Sequence, residues 1–149
     1  MSRSQGKPTM DRTKALARLC DEFQVDILYA FGSRAGEVRE WLRGDRRSLS
    51  PGPPDVDVGV KAVRGVRLSV HDKVRLALAL EDLLGVSRVD LVCFSDADPF
   101  LAANIVRGER LYARDSYQAD EYDLYILRRA GDLAPLERER MALILGEKV

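Results

Sequence analysis

Histidine is almost missing from this 149-residue chain, and its scarcity removes a large part of enzyme chemistry at once. A serine or cysteine nucleophile of the triad type needs an imidazole base that a third group orients. The single histidine, His71, stands beside Asp72 and Lys73 at the start of an expected surface helix, where it serves no such role. Cysteine is nearly as rare. Cys20 and Cys93 each fall inside an apolar stretch and are expected as buried free thiols. Two cysteines make neither a disulfide framework nor a zinc site, and they fit a reducing, cytoplasmic setting. Net charge is also lacking, because 24 Lys and Arg offset 24 Asp and Glu. No global basic field therefore draws nucleic acid, and any polyanion must meet a local site. No apolar run approaches the roughly 20 residues that span a bilayer, so no membrane association is expected. The opening MSRSQGKPT has no apolar core of the kind a secretory signal carries, and residues 1–8 read as a disordered lead-in.

What remains is an ordinary globular composition, 46% hydrophobic and 32% charged, long enough for one domain over residues 9–149. Apolar residues at helical spacing predict a helix over 9–24 with Thr9 as its N-cap. Strands are predicted at 25–31, 55–60, 88–94 and 110–114 from alternating or β-branched content. Helices are predicted at 36–43, 69–84 and 98–108, with Ser69 and Asp72 forming a capping-box variant and Gly85 the stop. The stretch 44–54 has the Gly, Pro and Ser content of a loop. From about residue 116 a helical tail follows, expected as two helices, 116–130 and 133–146, divided around Gly131-Asp132. The order is that of a mixed α/β domain, a small sheet flanked by helices.

The first strand, VDILYAF, stops abruptly at Gly32-Ser33. FGSRAG lacks the G-x-S-x-G spacing of a nucleophile elbow, and no base is at hand. A phosphate anchor fits better. Glycine permits close backbone approach, and serine adds a hydroxyl at a strand-to-helix turn. Polyphosphate chemistry further needs a carboxylate cage for a hard cation.

Carboxylates are present in the required pattern. Asp55 and Asp57 are two residues apart on a predicted strand, on one face and roughly 6.6–7 Å apart along it. They suit either the solvent face of an edge strand or a pair of metal ions about 3.5–4 Å apart. Asp90 interrupts the otherwise apolar RVDLVCF, where an unpaired acid is costly, so it needs a partner. That partner is either a metal ion or Arg88, two residues away.

Gly-Ser after one strand, Asp-x-Asp on the next and Asp on a third together resemble the DNA polymerase β-type nucleotidyltransferase superfamily. The resemblance is to its minimal nucleotidyltransferase branch, is carried by FGSRAG, DVDVGV and VDLV with VRGERLYARD before the tail, and extends over about residues 12–130. It implies a polymerase β-type fold and transfer of a nucleotidyl group from ATP with Mg2+, at a two-ion site. Asp55, Asp57 and Asp90 match the family's catalytic acids and metal ligands, Asp90 also as base for the acceptor hydroxyl. Gly32 and Ser33 match its triphosphate-binding turn, and Arg34 is carried over as a phosphate contact. Free-standing proteins of this size in the branch resemble antitoxins that transfer AMP to a tyrosine of a HEPN ribonuclease toxin, which implies such a toxin as partner. A small-molecule nucleotidyltransferase acting on aminoglycoside-like alcohols and a non-catalytic toxin-binding module are the alternatives.

One departure stands out. Residues 34–54 separate Ser33 from Asp55, a longer path than the family usually has, and it carries Trp41 and arginines 34, 39, 43, 46 and 47. It reads as a tolerated surface insertion, since loop length costs little, or as a basic flap by the nucleotide or a partner. In the tail, Tyr122, Tyr125 and Ile126 recur at helical spacing, for core packing or for docking.

Overall fold

The structure, a computed structural model, describes residues 8–146. The expected lead-in therefore lies outside the described residues but for Pro8, which opens helix α1 (Pro8–Glu22). Proline suits a first helical turn because its missing N–H would have no partner there. Thr9 is consequently inside α1 and does not cap it.

Strand β1 (Val25–Phe31) follows, then α2 (Ala35–Arg43), β2 (Val56–Ala62), α3 (Val70–Leu84) and β3 (Val89–Cys93). A short 3-10 turn (Phe94–Asp96) leads to α4 (Pro99–Val106), β4 (Glu109–Ala113) and α5 (Ser116–Ile144). The helix ends follow local chemistry. Ser69 accepts a hydrogen bond from the Asp72 amide to start α3, Asp98 accepts from Phe100 and Leu101 to start α4, and Gly85 ends α3 in the left-handed conformation. The tail is one helix, not two. Gly131 lowers helix propensity by about 1 kcal/mol without forbidding the conformation, and Pro135 removes one backbone bond from an element that continues on both sides of it.

The four strands form one mixed sheet in the order β3-β2-β1-β4. β1 pairs antiparallel with β2 and β4, while β2 and β3 run parallel, joined by α3. Because side chains alternate across a sheet, Leu28 and Ala30 of β1 join Val56, Val58 and Val60 of β2 in a core under α1, α2 and α3. Ile27, Tyr29 and Phe31 face the other way, into a second core with Phe94, Ala102, Ala103 and Ile105 and with Ala119, Ile126 and Ala130 of α5. Tyr122 packs edge-on against Phe94 at this second core. Asp57 and Gly59 share the parity of the second face. A side chain on Gly59 would run into Ile105, so its absence lets α4 settle over the middle of β2 while the Asp57 end stays open.

Candidate active site

The site begins where β1 ends. Gly32 has φ +77°, a backbone conformation that costs an L-residue about 1–2 kcal/mol. The Ala35 amide bonds back to the Gly32 carbonyl at 3.3 Å, closing the turn into α2. A Cβ on Gly32 would lie 2.5 Å from Asp57 Oδ2. Glycine is thus required twice here, for the turn and for the approach of β2's carboxylate. Ser33 is exposed beside it, at the N-terminal end of α2. Gly108, just before β4, packs so closely on Ala30 and Phe31 that it too has no room for a side chain.

Sheet register assembles the acids. Phe31 pairs with Asp57 across β1 and β2, and Asp57 pairs with Asp90 across β2 and β3. Neighbouring strands lie about 4.8 Å apart, so the two carboxylates stand side by side at one end of the sheet. Asp57 is half-buried. Burial raises its pKa, and the nearby charges of Asp90 and Asp55 raise it further. Asp90 is exposed because β3 is an edge strand. The desolvation cost inferred from its apolar sequence neighbours therefore does not arise. Nor is Arg88 paired with it: Arg88 Nε lies 3.2 Å from Asp55 Oδ2. Asp55 itself precedes β2 and is exposed.

Arg34 has a different place from the phosphate contact expected of it. It is 7% exposed, and its guanidinium points into the 44–54 path. Nη2 donates to the Ser50 carbonyl at 2.5 Å, Nη1 to those of Gly52 and Pro54 at 3.1 Å each, and Nε to Glu37 Oε1 at 2.8 Å. Glu37 also accepts from the Ser50 amide at 2.9 Å and pairs with Arg46 at 3.0 Å. At the other end of the loop, Arg12 of α1 donates to the carbonyls of Trp41, Arg46 and Arg47 and lies 4.6 Å above the Trp41 ring. Leu49 is buried between. The insertion is a built element, and Arg12 and Glu37 are the residues that sequence reasoning passed over. The i,i+3 spacing of Arg34 and Glu37 was the available signal.

Among the described residues no group of three or more His, Cys, Asp or Glu side chains stands ready to hold a metal ion, with Asp55 turned to Arg88. The donor set nonetheless fits a hard divalent cation. It is all carboxylate, and Asp57 carries like-charge repulsion that a cation relieves. His71 is exposed on the first turn of α3. Cys20 and Cys93 are buried and free, with burial pushing the Cys20 thiol up to about 12.

A glycine-serine turn facing paired acids on a mixed sheet defines a protein of the nucleotidyl-transfer class. Residues 14–117 match the polymerase beta nucleotidyltransferase family, and the chain belongs to it. A comparison with curated protein sequences returned no match. Among solved structures the chain is similar to one of the tri-AMPylated Shewanella oneidensis HEPN toxin in complex with MNT antitoxin. The identity is 20%, covering 91% of this chain and 95% of that one, with a TM-score of 0.60. It is similar also to a toxin–antitoxin structure with AMP-PNP, at 24% identity over 89% of this chain and 94% of that one, TM-score 0.61. These are likenesses of fold.

Proposed function

We propose that this chain is an ATP- and Mg2+-dependent adenylyltransferase that acts as the antitoxin of a HEPN ribonuclease toxin, by transferring AMP to a tyrosine of that toxin. The observation that carries the reading is the register that sets Asp57 beside Asp90, with Gly32 folded against Asp57. The AMPylated toxin and the AMP-PNP in similarly folded complexes support the choice of acceptor and nucleotide.

Asp55, Asp57 and Asp90 are the residues that would hold the metal, which supplies charge neutralisation at the phosphates when bound. The exposed Gly32-Ser33 turn and the N-terminus of α2 receive the triphosphate through backbone N–H groups and the Ser33 hydroxyl. Arg34 acts on this site through the loop it holds and not as a phosphate ligand. The acceptor's phenolic oxygen forms a bond to the α-phosphorus, the bond from that phosphorus to the bridging oxygen breaks, and pyrophosphate leaves. Asp90, exposed at the sheet edge, takes the phenolic proton and passes it to water. Catalysis rests on positioning and charge stabilisation. Among the described residues no helix is long and apolar enough to cross a membrane, and the reading places the protein in the cytoplasm.

Incubation with ATP, Mg2+ and a HEPN ribonuclease toxin as acceptor, followed by intact mass, tests this. A mass gain of whole adenylyl units that Asp57→Asn abolishes is the expected result. Neutralisation of the toxin without a mass change would leave a binding module, and modification of small alcohols alone would leave a small-molecule transferase.

A further inference from the structure

A cleft of about 320 Å3 opens beside Asp55, between the end of the insertion and the turn that leads from α3 into β3. Gly52, Pro53 and Pro54 form one wall, Val86, Ser87 and Arg88 the other, with Asp55 and Arg34 between them. We infer that this cleft is the acceptor subsite, and that it takes the aromatic hydroxyl side chain of a partner protein. The inference rests on the transfer reading given above.

Charge separates this cleft from a nucleotide site. Three charged side chains line it, and each already faces an opposite charge: Arg34 meets Glu37, and Arg88 meets Asp55. A triphosphate needs uncompensated cations or a row of free N–H groups. Here the backbone groups of the insertion wall are carbonyls that already accept from Arg34. A neutral phenol meets no such obstacle, since Pro53, Pro54 and Val86 give its ring apolar contact. Arg88 in the facing wall offers a cation to the ring face, and the hydroxyl end lies on the Asp55 side of the cleft, toward Asp90 on the adjoining strand.

Size points the same way. Pockets for whole ligands run from about 300 to 1,000 Å3, and this cleft of about 320 Å3 lies at the bottom of that range, which suits one aromatic side chain better than a base, ribose and triphosphate together.

The wall is also held in place, as a subsite wall must be. Arg34 is a positioning residue: its planar fork satisfies the carbonyls of Ser50, Gly52 and Pro54 together, which a lysine ammonium cannot do with the same geometry. The last of those carbonyls belongs to the residue before Asp55. A ring held against Gly52–Pro54 therefore lies next to an acid of the site, and the long path from Ser33 to Asp55 gains a purpose.

The test uses the full chain, two variants and two probes. Ser87 is exposed, and Ser87→Trp fills the cleft; Arg34→Lys releases its wall. In amide NMR spectra, N-acetyltyrosinamide is expected to shift Gly52, Ser87 and Arg88 saturably in the native protein and not in Ser87→Trp. AMP-PNP is expected to bind both proteins within about twofold. With the HEPN protein as acceptor, both variants are expected to raise the acceptor KM at least tenfold with the ATP KM unchanged. A structural role for Arg34 alone would shift both constants. Loss of AMP-PNP affinity in Ser87→Trp, or AMP-PNP shifts at Gly52 and Ser87, would assign the cleft to the nucleotide and overturn the inference. So would tyrosinamide shifts that avoid the cleft. If tyrosinamide titrates the cleft while no adenylyl transfer occurs, the transfer reading fails and the cleft as an aromatic-hydroxyl site stands.

Discussion

Asp57 Oδ2 lies 2.5 Å from the point at which a side chain on Gly32 would begin. The turn proposed to grip phosphate and the acid proposed to meet the cation are therefore one packed unit, although they come from different strands.

Gly32→Ala tests that unit. The new methyl group must displace Asp57 and adopt φ +77°. The backbone penalty of about 1–2 kcal/mol is small for a domain of this size, but displacement of a reacting group by about 1 Å costs on the order of 100-fold in rate. Calorimetry is expected to show a melting temperature lowered by several degrees, with transfer nearly abolished. Equal transfer by the variant would disprove the coupling.

The insertion has an acid-sensitive fastening. Burial pushes the Glu37 carboxyl up, but the hydroxyl and amide of Ser50 and the Arg34 guanidinium outweigh it and hold it at about 2, against 4.5 for the free group. The unfolded chain takes up this proton first as pH falls, so the stabilisation is present above pH 4.5 and is lost on descent to about 2. Glu37→Gln is expected to flatten the stability–pH curve over that window by on the order of 1–2 kcal/mol after screening. Urea midpoints measured from pH 2 to 6 provide the comparison.

The opposite end of the insertion depends on Arg12. Its three carbonyl contacts, between 2.6 and 2.8 Å, tie α1 to residues 41–47. Arg12→Ala is expected to cost about 2–3 kcal/mol, since hydrogen bonds from charged donors contribute about 1.5–3 each and are not additive. Limited trypsin digestion is expected to cut at Arg43, Arg46 or Arg47 in the variant before the native protein is cut there. Unchanged cleavage kinetics would show that Arg34 suffices.

Tyr29 anchors α5. Its hydroxyl donates to Asp123, which also takes Arg110 at 3.0 Å, and Arg110 reaches Asp120 at 2.9 Å. Burial, followed by the Asp123 hydrogen bond and charge, raises the Tyr29 pKa. Tyr29→Phe removes one donor while Arg110 still pairs with Asp123. A loss of about 1–2 kcal/mol is expected, with faster amide exchange over residues 116–130 than in the sheet. Uniform acceleration through the whole chain would show that α5 has no separate anchor.

Most strands and helix ends were legible because their causes are local. After Asp26, VDILYAF is apolar on both faces, as a strand with a neighbour on each side must be, and Ser69, Asp98 and Gly85 mark helix ends by their own hydrogen bonds or backbone preference. The polymerase β-type sheet and its family followed from the acids and the Gly-Ser turn. Partner choice was less legible. Arg88 stands two residues from Asp90, yet reaches Asp55 across the β2–β3 pairing, and no sequence spacing contains that distance. Arg34 misled for a related reason: adjacency to Ser33 suggested phosphate, whereas its side chain turns to carbonyls 16 to 20 residues onward. The division of the tail at Gly131 failed because a weak helix former does not end a helix by itself.

The parallel pairing of β2 with β3 has a consequence for synthesis. A chain emerging from the ribosome exposes Asp55 and Asp57 well before Asp90, and the latter reaches its neighbour only after α3 has crossed over and closed the unit. A nascent fragment that ends within α3 therefore carries the Asp-x-Asp pair without its companion, and lacks the register that sets Asp57 beside Asp90. Because an ion that binds only the finished site adds its binding free energy to the fold, a cation held by the proposed acids would favour completed chains over partial ones.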